Sequence, residues 1–322
     1  MPVIAALREK FPHATIHLAI SGSCRDLTPA IRGVDRFLIG RGSWRHASDW
    51  LVVLSTGYDY CLDLTRTDRS ALMAFFSNAK KKITYERTKL RSKWRPLIYN
   101  QFIDSSVRDS HTVDHHLAFL KPLGIHHASG AINLDLPTDA IRRADDILSS
   151  AKIDTPFVIF HPGSTRPEKF WEPERWAAVM NHSCNEHGVA CVLTSGKTAV
   201  EQSHIAEIKK HLRYPVVDVS GRTDLLTLTA LIAKARLLVG VDSAPTHLAA
   251  AMDTPQIVLY GPTNAFHWRP RFSPAVILQA GHDEPLTEFS PDQRRTSMNE
   301  ISTQQVIDAM EALLSAPPVS VS

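Results

Sequence analysis

Five short apolar runs, PFVIF, VACVLTS, PVVDV, RLLVGV and QIVLY, punctuate residues 156–260, and the four gaps between them hold helical stretches. PFVIF, with its β-branched members, has the size of a strand buried on both faces. PERWAAVMNHSC carries Pro173 in its first turn, and a polar helix follows across Ala199–Leu212. SGRTDLLTLTALIAKA offers Thr223 as an N-cap with Leu and Ile at helical spacing, and PTHLAAAM starts at Pro245. A βαβαβαβαβ order leaves few options. Parallel strands require crossovers and the crossovers are right-handed, so the expected fold is α/β with a doubly wound parallel sheet.

The remaining length asks for a second unit. At 322 residues, 43% of them hydrophobic, the chain can support two cores. ATIHLAI, RFLI and YDYCLDL are expected strands of the first half, with helical stretches at Arg25–Ile31, Ser43–Ser55 and Arg69–Ser77. Beyond Arg95 the chain is expected to be mainly helical, most clearly over His111–Leu120. Ile125–Pro137 has the character of a passage between halves, and the domains are expected at residues 1–150 and 151–322. A charged fraction of 21% excludes a disordered chain. No apolar run approaches the ~20 residues of a membrane-spanning helix. The opening residues lack the pattern of a secretory signal. Cys24, Cys61, Cys184 and Cys191 stand singly, which suits free buried thiols in a reducing cytosol.

Charge is uneven. Residues 1–150 hold 21 Lys and Arg against 15 Asp and Glu, and residues 151–322 hold 15 against 18. Much of the excess lies in Ala79–Arg95, where Lys80, Lys81, Lys82, Arg87, Lys89, Arg91, Lys93 and Arg95 face only Glu86. Such a segment either forms a solvated loop or gathers anions such as phosphorylated sugars and anionic lipid.

Two strand-to-helix loops carry candidate chemistry. In open α/β sheets ligands sit beyond the carboxyl ends of the strands, with phosphate on a helix N-terminus. His161–Trp171 supplies Gly163 for close backbone approach, the hydroxyls of Ser164 and Thr165, and the cations Arg166 and Lys169. Asp242–His247 crowds a carboxylate, two hydroxyls and an imidazole at a helix start. The second loop alone could be explained by Asp242 and Ser243 capping its helix. Both in one sheet favour a diphosphate site.

HPGSTRPEKFW, the Gly-x-x-x-x-Glu turn at Gly196–Glu201, and GRTDLLTLTALIAKARLLVGVDSAPTHLAAAMDTPQIVLYGPTN together resemble the ADP-heptose:lipopolysaccharide heptosyltransferases, glycosyltransferase family 9. FHWRPRF and the ending DQRRTSMNEISTQQVIDAMEALL resemble its branch-adding, heptosyltransferase III-like part. CLDLTRTDRSALMAFFSNAKKKITYE and YNQFIDSSVRDSHTVDHHLAFLKPLGI fit the family too, so the resemblance covers nearly the whole chain. It implies a GT-B architecture of two Rossmann-like domains facing a cleft, acceptor on the N-terminal one and nucleotide sugar on the other. The implied reaction is inverting transfer of heptose from ADP-L-glycero-D-manno-heptose to a heptose of the lipopolysaccharide inner core. No cofactor or metal is expected, and no Asp-x-Asp occurs in the chain.

Residue by residue, the resemblance assigns Lys169 to the diphosphate, Ser164 and Thr165 to the hydroxyl pair beside it, and Glu201 to the ribose. It places Asp242 at the sugar, gives Ser243 and Ala244 the backbone N–H groups on phosphate, and sets His247 one turn further on. Many relatives have Gly in place of Ala244. Family members also begin with a strand and a Gly-Asp loop ahead of the segment matching Pro2–Lys10, and that loop's aspartate is the expected base. The catalytic base is therefore expected upstream of Met1, with Asp26, Asp63 and Asp68 as weak candidates within the chain. A first sheet lacking its opening strand is the corresponding expectation. The rival reading is a catalytically silent nucleotide-sugar-binding protein without that loop.

Other constellations point elsewhere less strongly. His111 and His115, four apart, lack a further ligand and suit packing more than metal binding. Gly-x-Ser-x-Gly, Walker A and Gly-x-Gly-x-x-Gly are absent, against serine hydrolase, P-loop ATPase and dinucleotide oxidoreductase classes. The basic segment lacks the aromatic motif of RNA-binding sheets, so nucleic acid is not an expected partner. The expected partners are the nucleotide sugar, the lipopolysaccharide core and an anionic membrane surface. The expected location is cytoplasmic, peripheral on the inner face of the inner membrane.

Overall fold

Every strand pairing among the described residues is parallel. That is the outcome of a chain in which nearly every strand leads into a crossover. The computed structural model describes all residues except 41–46, 66, 87–91, 107 and 316–322. Two units result, Met1–Gly130 and Ala131–Ser322.

The first unit runs α1 (Pro2–Lys10), β1 (His17–Ser21), β2 (Arg36–Gly40), α2 (Ala47–Thr56), β3 (Tyr60–Leu62), α3 (Asp68–Phe76), β4 (Lys81–Tyr85), β5 (Gln101–Ile103) and α4 (Thr112–Leu117). Its strands form two sheets, β1–β2 and β3–β4–β5. The expected helix at Arg25–Ile31 is a 3-10 stretch over Gly22–Ala30, with Pro29 inside it. One expectation needs correcting. The basic segment is not one loop: its start is strand β4, with Ile83, Thr84 and Tyr85 fully buried. The chain beyond Arg95 is helical over Thr112–Leu117 and Ala118–Leu123, as expected, but it also holds β5, which completes the sheet. Ile83, Tyr85, Ile103, Phe119 and Leu123 form the core beneath, with Leu7 and Phe11 packed on it.

The second unit runs α5 (Thr138–Ser150), β6 (Phe157–His161), α6 (Pro173–His187), β7 (Ala190–Leu193), α7 (Ala199–Lys210), β8 (Val217–Asp218), α8 (Leu225–Lys234), β9 (Leu237–Val241), α9 (Ala244–Ala251), β10 (Gln256–Tyr260), α10 (Ala265–Trp268), β11 (Ala275–Gln279) and α11 (Thr303–Ser315). Helix α5 moves the boundary from the expected 150 back to 130. Its Arg143 bonds Thr227 at 2.8 Å and pairs with Asp224 at 3.3 Å, while Asp145 pairs with Lys234 at 2.9 Å, all on or beside α8. The break falls inside the Ile125–Pro137 passage.

The six strands lie in the order β11-β10-β9-β6-β7-β8. Val158, Phe160, Val239, Val241, Ile257 and Leu259 pack with residues of α6, α7 and α11 around the fully buried Trp171 and Trp176. Their neighbours Ile159, Leu238 and Val258, equally buried, point to the opposite face. The N-cap of α8 is Asp224, which accepts the Thr227 N–H at 2.7 Å, and not the expected Thr223. The cysteines differ from expectation as well. Cys24 is exposed, and Cys184 and Cys191 are not solitary: their Sγ atoms lie 3.2 Å apart, both as thiols.

Candidate functional site

Strands β6 and β9 are neighbours in the middle of the sheet, with His161 level with Gly240. From there the chain winds one way through β7 and β8 and the other way through β10 and β11. The two loops singled out in the sequence leave adjacent carboxyl ends in opposite directions. This is the switch point at which open α/β sheets bind ligands. Close approach at Gly240 is needed for it, because a Cβ there would lie 3.2 Å from the His161 carbonyl oxygen.

Across this point Lys169 Nζ donates to Asp242 Oδ2 at 2.6 Å and to the Asp242 carbonyl at 2.9 Å. Both side chains are largely withdrawn from solvent, at 12% and 9% exposure. The capping alternative does not hold. The Asp242 carboxylate is turned to Lys169, the Ser243 hydroxyl donates back to the Val241 carbonyl at 3.2 Å, and no side chain caps the first turn of α9. Ala244 is exposed at that helix end, where the dipole favours an anion. His247 follows one turn on. Burial lowers its pKa, opposed by the Asp242 carboxylate and reinforced by Lys169. Tyr260 closes β10 beside this group, and burial together with the Asp242 carboxylate pushes its phenol well up.

The loop after β6 is tied down on its other side. Ser164 is buried and its Oγ accepts the Arg166 N–H at 3.2 Å, while Thr165 is exposed. Arg166 is spent on Glu168, at 2.6 Å. Glu201, 4% exposed, accepts the Gly196 N–H at 3.2 Å and the Thr198 hydroxyl at 2.7 Å. Thr198 in turn accepts the Glu201 N–H, which closes a capping box on α7. A Cβ on Gly163 would lie 3.0 Å from Glu201 Oε1, and one on Gly196 would run into the same carboxylate. The acid therefore sits where both glycine-bearing loops converge.

Several neighbours of this site are not legible in the sequence. His161 Nδ1 lies 2.8 Å from Thr194 Oγ1. The His204 ring stacks on Phe170 at 4.2 Å, and Gln202 donates to the Gly196 carbonyl at 2.8 Å. Burial lowers both histidines to about 4. The Thr198-x-x-Glu201 box was a legible signal; the contacts of His161, His204 and Gln202 depend on which strands are adjacent.

In the first unit, Asp63 is buried and accepts from Thr65 N–H at 3.0 Å, Ser70 hydroxyl at 2.9 Å and Tyr99 hydroxyl at 2.5 Å. It is a structural acceptor. Asp68 is paired with Arg95 at 2.5 Å, and Asp26 is exposed on the 3-10 stretch. In the basic segment Lys80 is paired with Asp59 at 2.7 Å and Lys81 lies 5.5 Å from the Tyr60 ring centre. Lys82 is half-buried and Lys93 exposed; Arg87, Lys89 and Arg91 fall outside the described residues. His111 caps α4 through Nδ1 and buried His115 stacks on Tyr85 at 3.8 Å, the packing roles expected of them. Around this segment apolar side chains face outward: Leu51, Leu54, Leu72, Phe75, Phe76, Trp94 and Leu97 are all at least 38% exposed.

Residues 51–298 match the model of glycosyltransferase family 9 (heptosyltransferase). Lipopolysaccharide heptosyltransferase 3 of Escherichia coli is 26% identical, over 97% of this chain and 94% of the relative. Among solved structures, a family 9 glycosyltransferase from Veillonella parvula superposes with a TM-score of 0.83 at 22% identity, covering 97% of this chain and 92% of that one. E. coli heptosyltransferase WaaC with ADP gives 0.68 at 19%, covering 97% and 91%. These likenesses establish the fold class expected from the sequence: α/β, with the Rossmann-like units of the GT-B class.

Proposed function

Since the chain belongs to glycosyltransferase family 9, we propose that it transfers heptose from ADP-L-glycero-D-manno-heptose to a heptose of the lipopolysaccharide inner core, in the branch-adding manner. The observation that carries the reading is the Lys169–Asp242 pair beside the uncapped start of α9. An arriving diphosphate competes for Lys169 and takes the N–H groups of the α9 end at Ser243 and Ala244, with the Ser164 and Thr165 hydroxyls alongside. Lys169, once on the phosphate, leaves Asp242 to the sugar hydroxyls, and His247, held neutral by burial, serves there as a hydrogen-bond partner. Glu201, held by its capping box on α7, is assigned to the ribose. In the reaction the acceptor oxygen attacks the anomeric carbon from the face opposite ADP. Its proton passes to a base, and charge on the departing ADP is met by Lys169 and the helix end. This assigns neutralisation to protein groups and calls for no cofactor. Asp63 is not that base, because its oxygens are already engaged.

Attachment to an anionic membrane surface is the second part of the proposal. Exposed Lys81, Lys93 and Arg69 accompany the outward apolar side chains of α2 and α3, where Trp50, Phe76 and Phe75 touch in series at ring distances of 6.0 and 5.2 Å. Basic charge with insertable apolar side chains suits a peripheral protein on anionic lipid.

The silent-binder reading is not favoured, because a relative aligned over nearly its full length is named as a transferase. The deciding experiment incubates purified chain with ADP-heptose and heptose-truncated lipopolysaccharide. ADP release with an acceptor mass gain of one heptose is expected. ADP binding without turnover would return the silent reading.

A further inference from the structure

We propose that His182, His187 and Glu311 form a zinc site that clamps helix α11 to α6 within the second unit. Each residue brings one ligand atom to within 4.8 Å of the other two. His182 and His187 occupy the last turns of α6, which ends at left-handed Gly188, and Glu311 comes from α11. His182 Nε2 already meets Glu311 Oε1 at 3.1 Å, and the two imidazole centres are 5.9 Å apart. The telling atom is His187 Nε2: it is buried and has no hydrogen-bond partner. A buried polar atom left unpaired is costly, and a cation held with the neighbouring imidazole and carboxylate would satisfy it.

Two imidazoles and a carboxylate suit zinc, with water in the fourth position. Ligands at about 2.0–2.2 Å from the ion would stand roughly 3.5 Å apart, closer than now by a distance of side-chain rotation. An entry path exists, because His182 also lines a surface hollow of about 460 Å³ with Glu174, Asn181 and Asn185. The site lies on the last turns of α6 and on α11 and shares no residue with the Lys169–Asp242 pair, so the clamp acts on stability and not on transfer. It is independent of the expectation that the transfer step itself uses no metal.

Tag-free full-length chain, stripped with a chelator, is titrated with zinc against a chromogenic chelator and separately with cobalt. The expected result is one zinc per chain, a melting temperature that rises with zinc, and a cobalt spectrum without thiolate charge transfer. His187→Ala and Glu311→Gln should each weaken binding about tenfold or more, with circular dichroism showing that both variants fold. His211→Ala, and Cys184→Ser combined with Cys191→Ser, should leave affinity unchanged. No zinc uptake at a hundredfold excess overturns the proposal. So does uptake that survives His187→Ala, or uptake lost with the cysteine pair, which would put the metal on the thiols.

Discussion

At the scale of single residues, the site turns on a lysine and an aspartate 73 positions apart that meet at 2.6 Å. A charged hydrogen bond to phosphate contributes about 1.5–3 kcal/mol. Lys169→Ala should therefore weaken ADP binding roughly 10- to 100-fold in calorimetric titration; an unchanged affinity would place the diphosphate elsewhere. His161 supplies a second prediction. Burial holds its pKa near 4, below the usual 6.5. The folded form binds its proton less readily than the unfolded one, so its stability contribution is complete above about pH 6.5 and is lost as pH falls toward 4. Within that window one such histidine changes stability by about 1.4 kcal/mol per pH unit. Urea midpoints measured from pH 7 to 5 should fall accordingly, and His161→Asn should flatten the slope. The residue types of the donor loops were readable in the sequence because Lys, Ser, Thr and Asp crowded at strand ends have few structural uses. His161 was not, since its partner Thr194 lies just past the end of the neighbouring strand β7.

Elements follow from local pattern where a side chain caps or a face repeats. Helix α8 starts at Asp224 because its carboxylate takes the Thr227 N–H, and the same residue receives Arg143 from α5. Asp224→Ala should lower unfolding stability by about 1–2 kcal/mol in urea titration, and Asp224→Asn should recover most of it. The ion pair itself is exposed and adds little. Thr223 and Asp224 both satisfy the cap rule, so only the chain's path could choose between them. Strand β4 was hidden for a related reason. KKITY begins with two lysines, and its three inward residues become a strand only because β3 and β5 pair on either side. Propensity carries little weight against that pairing.

The whole molecule adds what no element contains. Eight of the twelve large apolar side chains exposed among the described residues belong to the first unit, and most lie on α2, α3 and the segment after the basic run. Flotation with anionic vesicles should show binding that weakens several-fold between low and high salt. Phe75→Glu combined with Leu72→Glu should reduce it further while leaving ADP affinity intact; binding that ignores both changes would refute membrane attachment through this face. The outward Leu and Phe residues were invisible as a surface in the sequence, where the same residues pass for the buried stripe of a helix.

The alternation of apolar runs with helical stretches determined five of the second unit's six strands and their parallel, doubly wound class, because parallel pairing and right-handed crossovers leave few kinds of sheet for such an order. The motif residues likewise determined the family. Tertiary structure alone decided that β6 and β9 are neighbours, which brings Lys169 onto Asp242. It also decided that α5 belongs to the second unit, and that His182 and His187 stand beside Glu311 more than a hundred residues on. Periodicity reports which face of an element is apolar. Which other element covers that face depends on long-range packing, and every one of these contacts is of that kind.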